Sequence, residues 1–211
     1  ACLALTTIGS AGMFVVVVAM PEFQADFGIS RAGASVPYTM VMAGFGLGGV
    51  VIGRVVDRFG IVRPLFVSAI ALGLSYAQAA LSDSVLVFNL AHMQIGCFGC
   101  ATVFAPLISD VSKWFTTRRG LAVAICACGN YISGAVWPSI MHDFMQDIGW
   151  RQTYIAIGVI SGALMLPLLL ALNRRPEGDN QISGSGGSAG TPEMLGLTPK
   201  TLMALLCIAG L

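Results

Sequence analysis

The sequence predicts an all-α integral membrane protein, a bundle of six transmembrane helices followed by the start of a seventh. Of its 211 residues, 56% are hydrophobic and only 10% are charged, whereas soluble chains carry about 25% charged residues. Eleven Lys and Arg against ten Asp and Glu nearly cancel, which argues against a basic nucleic-acid-binding protein and against an acidic disordered tail. We therefore expect a protein whose main partner is the lipid bilayer.

The few charged residues mark the ends of six apolar runs. A helix that crosses the hydrocarbon core, about 30 Å thick, needs about 20 residues without an unpaired charge. Runs of that kind cover residues 1–21, 32–53, 64–82, 84–109, 120–142 and 152–173. Each run predicts one membrane-spanning helix, and together they predict a bundle over residues 1–173.

The remainder of the sequence predicts a linker and a truncated helix. Residues 174–199 are rich in Gly, Ser and Pro, a composition that cannot bury enough apolar surface to order itself, so we expect a flexible cytoplasmic linker. A seventh apolar run occupies residues 200–211, and at about 1.5 Å per residue it is too short to cross a bilayer. We therefore expect the sequence to be a piece of a longer protein.

Lys and Arg are distributed unequally between the two sides of the predicted bundle. The connections after the second, fourth and sixth runs carry eight of them, and the opposite side carries two, Arg31 and Arg151. Short loops with an excess of positive charge stay in the cytoplasm. The sequence thus predicts a multi-pass protein of the cytoplasmic membrane with its amino terminus in the cytoplasm.

A short motif, GRVVDRFGIVR, connects the second and third runs and begins at Gly53. Gly53 would let two helices approach closely, and Gly60 would permit a tight reversal. Asp57 is placed to interact with a helix amino terminus or a neighbouring arginine, while Arg58 and Arg63 would hold the loop at the membrane surface. The alternative is an ordinary basic loop that only fixes topology.

This motif resembles the cytoplasmic loop signature of the major facilitator superfamily, Gly-x-x-x-Asp-Arg-x-Gly followed by basic residues. The resemblance implies the amino-terminal half of a twelve-helix transporter fold, with the missing carboxy-terminal bundle of the same chain as a partner. It also implies that Asp57 and its arginine neighbours form a gating latch with that second bundle. Val62 stands where a basic residue is common, so the latch would have fewer partners.

A second motif, residues 113–129, reads KWFTTRRGLAVAICACG and resembles the pattern of the monocarboxylate and oxalate–formate porter branch. With GWRQTY at residues 149–154, the superfamily resemblance extends over residues 1–173. The branch resemblance implies a small organic anion as the solute. The first run contains no Lys, the residue that some monocarboxylate carriers use to hold the anion, which puts an anion site in this half in doubt.

Polar side chains near the centres of the runs are candidate solute ligands, because they are costly in a membrane without a purpose. Asn130 and Tyr131 lie near the middle of the fifth run, and Tyr38 and Gln94 could line the same cavity. In transporters of this architecture the solute site lies near the bilayer midplane. The alternative for Asn130 is a hydrogen bond between helices, worth roughly 1 kcal/mol in lipid.

His92 is the candidate proton-coupling residue. Many proton-coupled relatives carry a buried Arg in an Arg-x-x-x-Gly pattern in the fourth span, and here His92 stands four residues before Gly96. Histidine titrates near physiological pH, which arginine does not. The alternative is a structural His that hydrogen bonds to a neighbouring helix.

We therefore expect a secondary active transporter for a small solute, an organic anion such as a mono- or dicarboxylate, that works by alternating access with proton coupling. One alternative is an exporter of drugs or other small molecules, although Trp137 replaces the Gly of the Gly-Pro pair found in many drug antiporters. Another is a metal-ion carrier using His92, Cys97 and Cys100, whose Cys-x-x-Cys spacing is more typical of small-residue packing in a span. No protease motif is present, so we expect neither an enzyme nor a cofactor.

Overall fold

The computed structural model describes residues 2–114 and 118–172, and all the regular structure in this part of the chain is helical. These residues form one compact unit. The predicted linker, residues 174–199, and the predicted seventh helix, residues 200–211, lie outside the described residues. The division of the sequence into these three parts therefore stays a prediction.

Nine α-helices and one π-helical turn follow one another along the described part of the chain. They are α1 (Cys2–Gly9), α2 (Ala11–Val18), α3 (Met20–Phe27), α4 (Arg31–Phe59), α5 (Val62–Ala80), α6 (Val85–Ile95), the π turn (Gly96–Ala101), α7 (Thr102–Trp114), α8 (Arg119–Ile148) and α9 (Trp150–Leu172).

Each predicted run coincides with helical structure, but the number of membrane crossings is only partly supported. Four segments are long and apolar enough to cross a bilayer: Arg31–Phe59, Val85–Ser112, Arg119–Ile148 and Trp150–Leu169. Cys2–Val18 and α3 meet at a bend of 54° and make a fifth if they form one span. The third run, α5, is helical over 19 residues but is not among these segments. The all-helical, multi-pass class is thus confirmed, while six crossings stay a prediction.

Glycines end three of the helices. Gly28 (φ 61°), Gly60 (φ 76°) and Gly149 (φ 79°) are the residues with positive φ in the described part of the chain, and each follows the last residue of a helix. A residue without a Cβ adopts this conformation at little cost. At the start of α4 the Ser30 hydroxyl accepts a hydrogen bond from the Gly33 amide at 3.2 Å, so the short connection from α3 is defined at both ends.

The interface between α4 and the α6–π-turn segment is built from glycines. A Cβ at Gly44 would collide with the backbone carbonyl of Met93, and one at Gly96 would collide with the carbonyl of Val41. A Cβ at Gly48 would lie 2.8 Å from the Cα of Cys97. Because lipid provides no hydrophobic drive for helix association, such close backbone contact is what holds transmembrane helices together.

The π turn interrupts the fourth predicted run, which the apolar pattern did not indicate. The wide turn is stabilised by side chains on its flanks. Thr102 Oγ1 donates to the carbonyl of Cys97 at 3.2 Å, and the hydroxyls of Thr102 and Ser68 lie 3.0 Å apart. The turn is thereby tied to α5. It is a local widening within the segment Val85–Ser112, between α6 and α7.

Candidate functional site

Helix α8 is held against the first helices by its buried side. A Cβ at Gly129 would collide with Thr6, whose hydroxyl lies 3.1 Å from the carbonyl of Cys126 and donates to it. Trp137 Nε1 donates to the carbonyl of Thr7 at 2.9 Å. These contacts fix the rotation of α8 about its axis, and they determine which side chains it presents elsewhere.

Asn130 and Tyr131 directly follow Gly129 in the sequence of α8, and they differ in exposure. The Asn130 Oδ1 atom is buried and has no hydrogen-bond partner among the described residues. Tyr131 is 76% exposed. An amide oxygen left without a partner costs roughly 1–3 kcal/mol. The Tyr131 side chain is open to a solute, whereas the Asn130 oxygen is enclosed, so the role of the pair as solute ligands stays a prediction.

The other two predicted solute ligands do not join this pair. Tyr38 lies on α4 and is 38% exposed, whereas Gln94 on α6 faces α5, where its Oε1 accepts a hydrogen bond from Ser75 Oγ at 3.2 Å. Within the described residues, no hydrogen bond or ring contact connects any of these four side chains to another. The solute role of all four residues stays a prediction, with Asn130 and Tyr131 as the first candidates.

His92 is buried in a closed polar pair. Its Nδ1 lies 2.8 Å from the carbonyl of Phe88, and because a carbonyl only accepts, Nδ1 carries the proton. In the neutral ring Nε2 then accepts from the hydroxyl of Tyr154, 3.0 Å away. The sequence did not indicate Tyr154 as this partner. Both nitrogens are satisfied within the protein, and the proton-coupling role of His92 stays a prediction.

An aromatic cluster surrounds the His92 pair. The Phe88 ring lies 4.3 Å from the His92 ring and 5.6 Å from the Trp150 ring, centroid to centroid, and the Phe23 ring lies 5.0 Å from that of Phe88. The cluster joins α3, α6 and α9. His92 therefore lies in the packed core between these helices.

Cys97 and Cys100 belong to the π turn. Both thiols are free; Cys100 is buried, with its Sγ 3.8 Å from the carbonyl of Gly9, and Cys97 contacts α4 at Gly48. No group of three or more His, Cys, Asp or Glu side chains able to hold a metal ion occurs in residues 2–114 and 118–172. The metal-carrier alternative thus gains no support from the arrangement of these two thiols.

The signature loop lies at the end of the bundle that also carries Arg118 and Arg119, which we call the Arg-rich end. Gly60 adopts the expected positive φ of 76°. Asp57, Arg58 and Arg63 are exposed and form no ion pair with another described residue. A Cβ at Gly53 would meet no described atom within 4 Å, so the close helix approach predicted there stays a prediction. Among the described residues, the close contacts of α4 lie nearer its middle.

At the opposite end of the bundle, Arg151 forms a clasp that the sequence did not predict. Its Nη1 donates to the carbonyls of Ala80 and Ser82 at 3.2 and 3.1 Å, and its Nη2 donates to Asp26 Oδ2 at 3.1 Å. Asp83 lies 3.6 Å away. One guanidinium thus ties the ends of α3, α5 and α9 together. The one feature of the sequence that could have indicated this clasp is that Arg151 is one of two basic residues on this side of the predicted bundle, two positions after Gly149.

The chain matches a known protein family over almost its whole length. The sequence model of the Major Facilitator Superfamily matches residues 2–211. The chain is 32% identical over 136 residues to "MFS-type transporter pynF" of Aspergillus niger, covering 62% of this chain and 30% of that protein. It is 30% identical over 119 residues to "Monocarboxylate transporter 11" of Homo sapiens, covering 54% and 25%.

A third relative is "Fujikurins efflux protein" of Gibberella fujikuroi, 29% identical over 118 residues, covering 56% of this chain and 25% of that protein. The chain thus spans less than a third of the length of these three relatives. The family match covers nearly all of the sequence and includes both the signature loop and α8. The chain therefore belongs to the major facilitator superfamily of membrane transporters.

Proposed function

We propose that the protein is a secondary active transporter that moves a small organic anion, such as a mono- or dicarboxylate, across the cytoplasmic membrane by alternating access. The observation that carries this proposal is the position of Asn130 and Tyr131 on α8, where an unpartnered amide oxygen adjoins an exposed aromatic hydroxyl. The name of the human relative, a monocarboxylate transporter, supports an organic anion as the solute.

The proposed gate is the signature loop. Asp57 and Arg58 are exposed and form no ion pair with another described residue, so both charges are available to a second helix bundle of the full-length transporter. In the proposed cycle they bind that bundle in one state and separate from it in the other. The excess of Lys and Arg at this end supports a cytoplasmic position for the loop and for the amino terminus.

Proton coupling through His92 is the second part of the proposal. The neutral ring donates at Nδ1 and accepts at Nε2, so taking up a proton would require the Tyr154 hydroxyl to reverse its hydrogen bond. A conformational change that separated α6 from α9 would change this pair. Protonation and helix movement would thereby be linked.

Uptake by the purified full-length protein in proteoliposomes tests the proposal. We expect uptake of radiolabelled lactate or succinate that rises when the inside is alkaline, and we expect Asn130→Leu and Tyr131→Phe to raise KM. The matched control is Gln146→Leu, which removes an amide from an exposed position near the end of the same helix. The substrate assignment fails if neither carboxylate is transported, or if the control changes KM as much as the variants.

An exporter of small molecules is the second candidate function, favoured by the name of the fungal efflux relative. The same proteoliposomes distinguish the two. In vesicles where the Arg-rich end of the protein faces outward, an exporter would accumulate a neutral or cationic apolar compound and would not transport the carboxylates. Both outcomes use the same fold and the same candidate residues on α8.

A further inference from the structure

A groove of about 680 Å³ runs between α7 and α8 at the Arg-rich end of the bundle. Its lining is partly apolar and partly polar. The apolar part includes Phe104, Ile108 and Val123, and the polar part is formed by Ser109, Ser112 and Arg119.

Arg119 brings a charge with spare hydrogen-bond donors to this groove. Its Nη2 lies 3.3 Å from Ser112 Oγ and donates to it, and within the described residues it forms no ion pair. A guanidinium has five N–H donors, so most of them remain available on an exposed side chain. Asp110, the acidic residue of α7, is not part of the groove lining.

The face of α8 that lines the groove continues to the candidate solute residues. Arg119 and Val123 are four residues apart, a further step of four leads to position 127, and steps of three and four from there lead to Asn130 and Tyr131. Positions three or four residues apart lie on one side of a helix. At about 1.5 Å per residue, Asn130 lies roughly 17 Å along the axis from Arg119. One face of α8 therefore connects the middle of the bundle with its Arg-rich end.

We propose that Arg119, with Ser109 and Ser112, binds the carboxylate of a small organic anion at a second station between Asn130 and this end of the membrane. A guanidinium binds a carboxylate through two parallel hydrogen bonds, the serine hydroxyls can donate to the same oxygens, and the apolar lining would contact the alkyl part of the solute. The identity of the bound solute at this station rests on the proposed function. Arg119 would supply the positive charge that the first helix lacks.

Arg118 is the matched control for Arg119. It is the neighbouring residue and carries the same charge, but it lines a separate groove with Leu121, Ile125 and Cys126. A variant at either position removes one positive charge from the same end of the protein. A difference between the two variants therefore reports the position of the charge rather than the net charge.

The first experiment does not depend on knowing the solute. The full-length Ser109→Cys variant is purified in detergent without anionic lipid. It is treated either with the anionic reagent sulfonatoethyl methanethiosulfonate or with the cationic reagent trimethylammonioethyl methanethiosulfonate. Mass spectrometry gives the rate at which the thiol at position 109 is modified. Relative to a free thiol, we expect the anionic reagent to react about fivefold faster than the cationic one. Arg119→Gln should abolish this preference and Arg118→Gln should retain it. Equal rates in the parent protein, or equal effects of the two variants, would overturn the proposal.

Protection and transport complete the test. Lactate or succinate should slow the reaction of the thiol at position 109 with the anionic reagent, and the neutral lactamide should not. If phosphatidylglycerol protects this thiol and neither carboxylate does, the groove binds a lipid headgroup and the proposal is overturned. In proteoliposomes, Arg119→Gln should raise KM for the transported carboxylate about tenfold, while Arg119→Lys restores part of the loss. If the carboxylate is transported and KM is unchanged, the station fails while the proposed function stands. If none is transported but both carboxylates protect position 109, the station stands and the proposed function fails.

Discussion

At the scale of single residues, variants of the His92–Tyr154 pair can separate a role in stability from a role in transport. Tyr154→Phe removes the donor to Nε2 and leaves a buried nitrogen without a partner, which costs about 1–3 kcal/mol. We expect a lower melting temperature of the full-length protein in detergent for this variant. Tyr131→Phe, at a side chain that is 76% exposed, should leave the melting temperature unchanged.

The two members of this pair should differ in transport. If His92 carries the coupled proton, His92→Gln abolishes the stimulation of uptake by an alkaline interior, whereas Tyr154→Phe lowers stability but keeps the stimulation. Equal stimulation in both variants would leave His92 with a packing role only. The measurement is initial uptake with and without a pH gradient, at a temperature where both variants are folded.

Individual side chains were the hardest features to predict. The spacing of Asn130 and Tyr131 put them near the centre of a span. In the structure Tyr131 is exposed, whereas the Asn130 Oδ1 atom is buried without a hydrogen-bond partner among the described residues, and their solute role stays a prediction. Nothing in the spacing indicated that His92 faces Tyr154, 62 positions later, or that Arg151 binds the carbonyls at the end of α5. Such pairings depend on how helices rotate against each other, which a single run of residues does not determine.

At the scale of helices, the glycines of α4 divide into two groups with different expected effects. Gly44→Ala should destabilise the protein and lower its expression, because the new Cβ would overlap the backbone carbonyl of Met93, which cannot move aside. Gly46→Ala places a methyl group where no described atom lies within 4 Å, and we expect it to be neutral or to stabilise the helix by about 0.5–1 kcal/mol.

Expression level and melting temperature of the full-length protein check this contrast. Equal loss in both variants would show that the α4–α6 interface does not depend on Gly44. From the sequence, a close helix approach was predicted at Gly53, where a Cβ would meet no described atom within 4 Å. The sequence did not distinguish the contacting Gly44 from the exposed Gly46. Contacts were confined to one side of α4, and the sequence has glycines on several sides.

Helix interruptions form a second class of features that the apolar pattern did not reveal. The π turn lies within an uncharged run that reads as one continuous span, because hydropathy records length and polarity but not the hydrogen-bond register of the backbone. The bend of 54° after α2 is similar. One helix end was predicted: Gly60 was expected to permit a tight reversal, and it has a φ of 76°.

At the scale of the whole molecule, the position of α5 decides how many times the chain crosses the membrane. If α5 spans the bilayer, Phe59 and Ser84, at its two ends, lie on opposite sides. An impermeant maleimide added to intact cells should then label Ser84→Cys and Ile148→Cys but label Phe59→Cys only after permeabilisation. Labelling of Phe59→Cys and Ser84→Cys from the same side would remove α5 as a span, and the unsubstituted protein gives the background.

The charge distribution predicted more about the whole molecule than about any site within it. Charged residues are costly in the bilayer core, so their positions alone separated the helical runs and assigned the Arg-rich end. Membrane cost constrains every residue of a span in the same direction, which is why the signal survives in a single sequence. The geometry of a site is under no such uniform constraint, because it depends on how helices such as α8, α1 and α2 pack against each other.

The signature loop connects this whole-molecule organisation with movement. Asp57 is exposed and forms no ion pair with another described residue, so Asp57→Asn should leave the folding of this bundle intact. If its carboxylate holds the transporter in one state, removing the charge should slow transport, about tenfold for a contribution of about 1.4 kcal/mol to the rate-limiting step. The measurement is the initial uptake rate at equal expression. The control is Asp143→Asn, which changes an exposed Asp near the carboxyl end of α8. An unchanged rate would remove Asp57 from the gate, whereas a loss of expression equal to the loss of transport would assign it to folding.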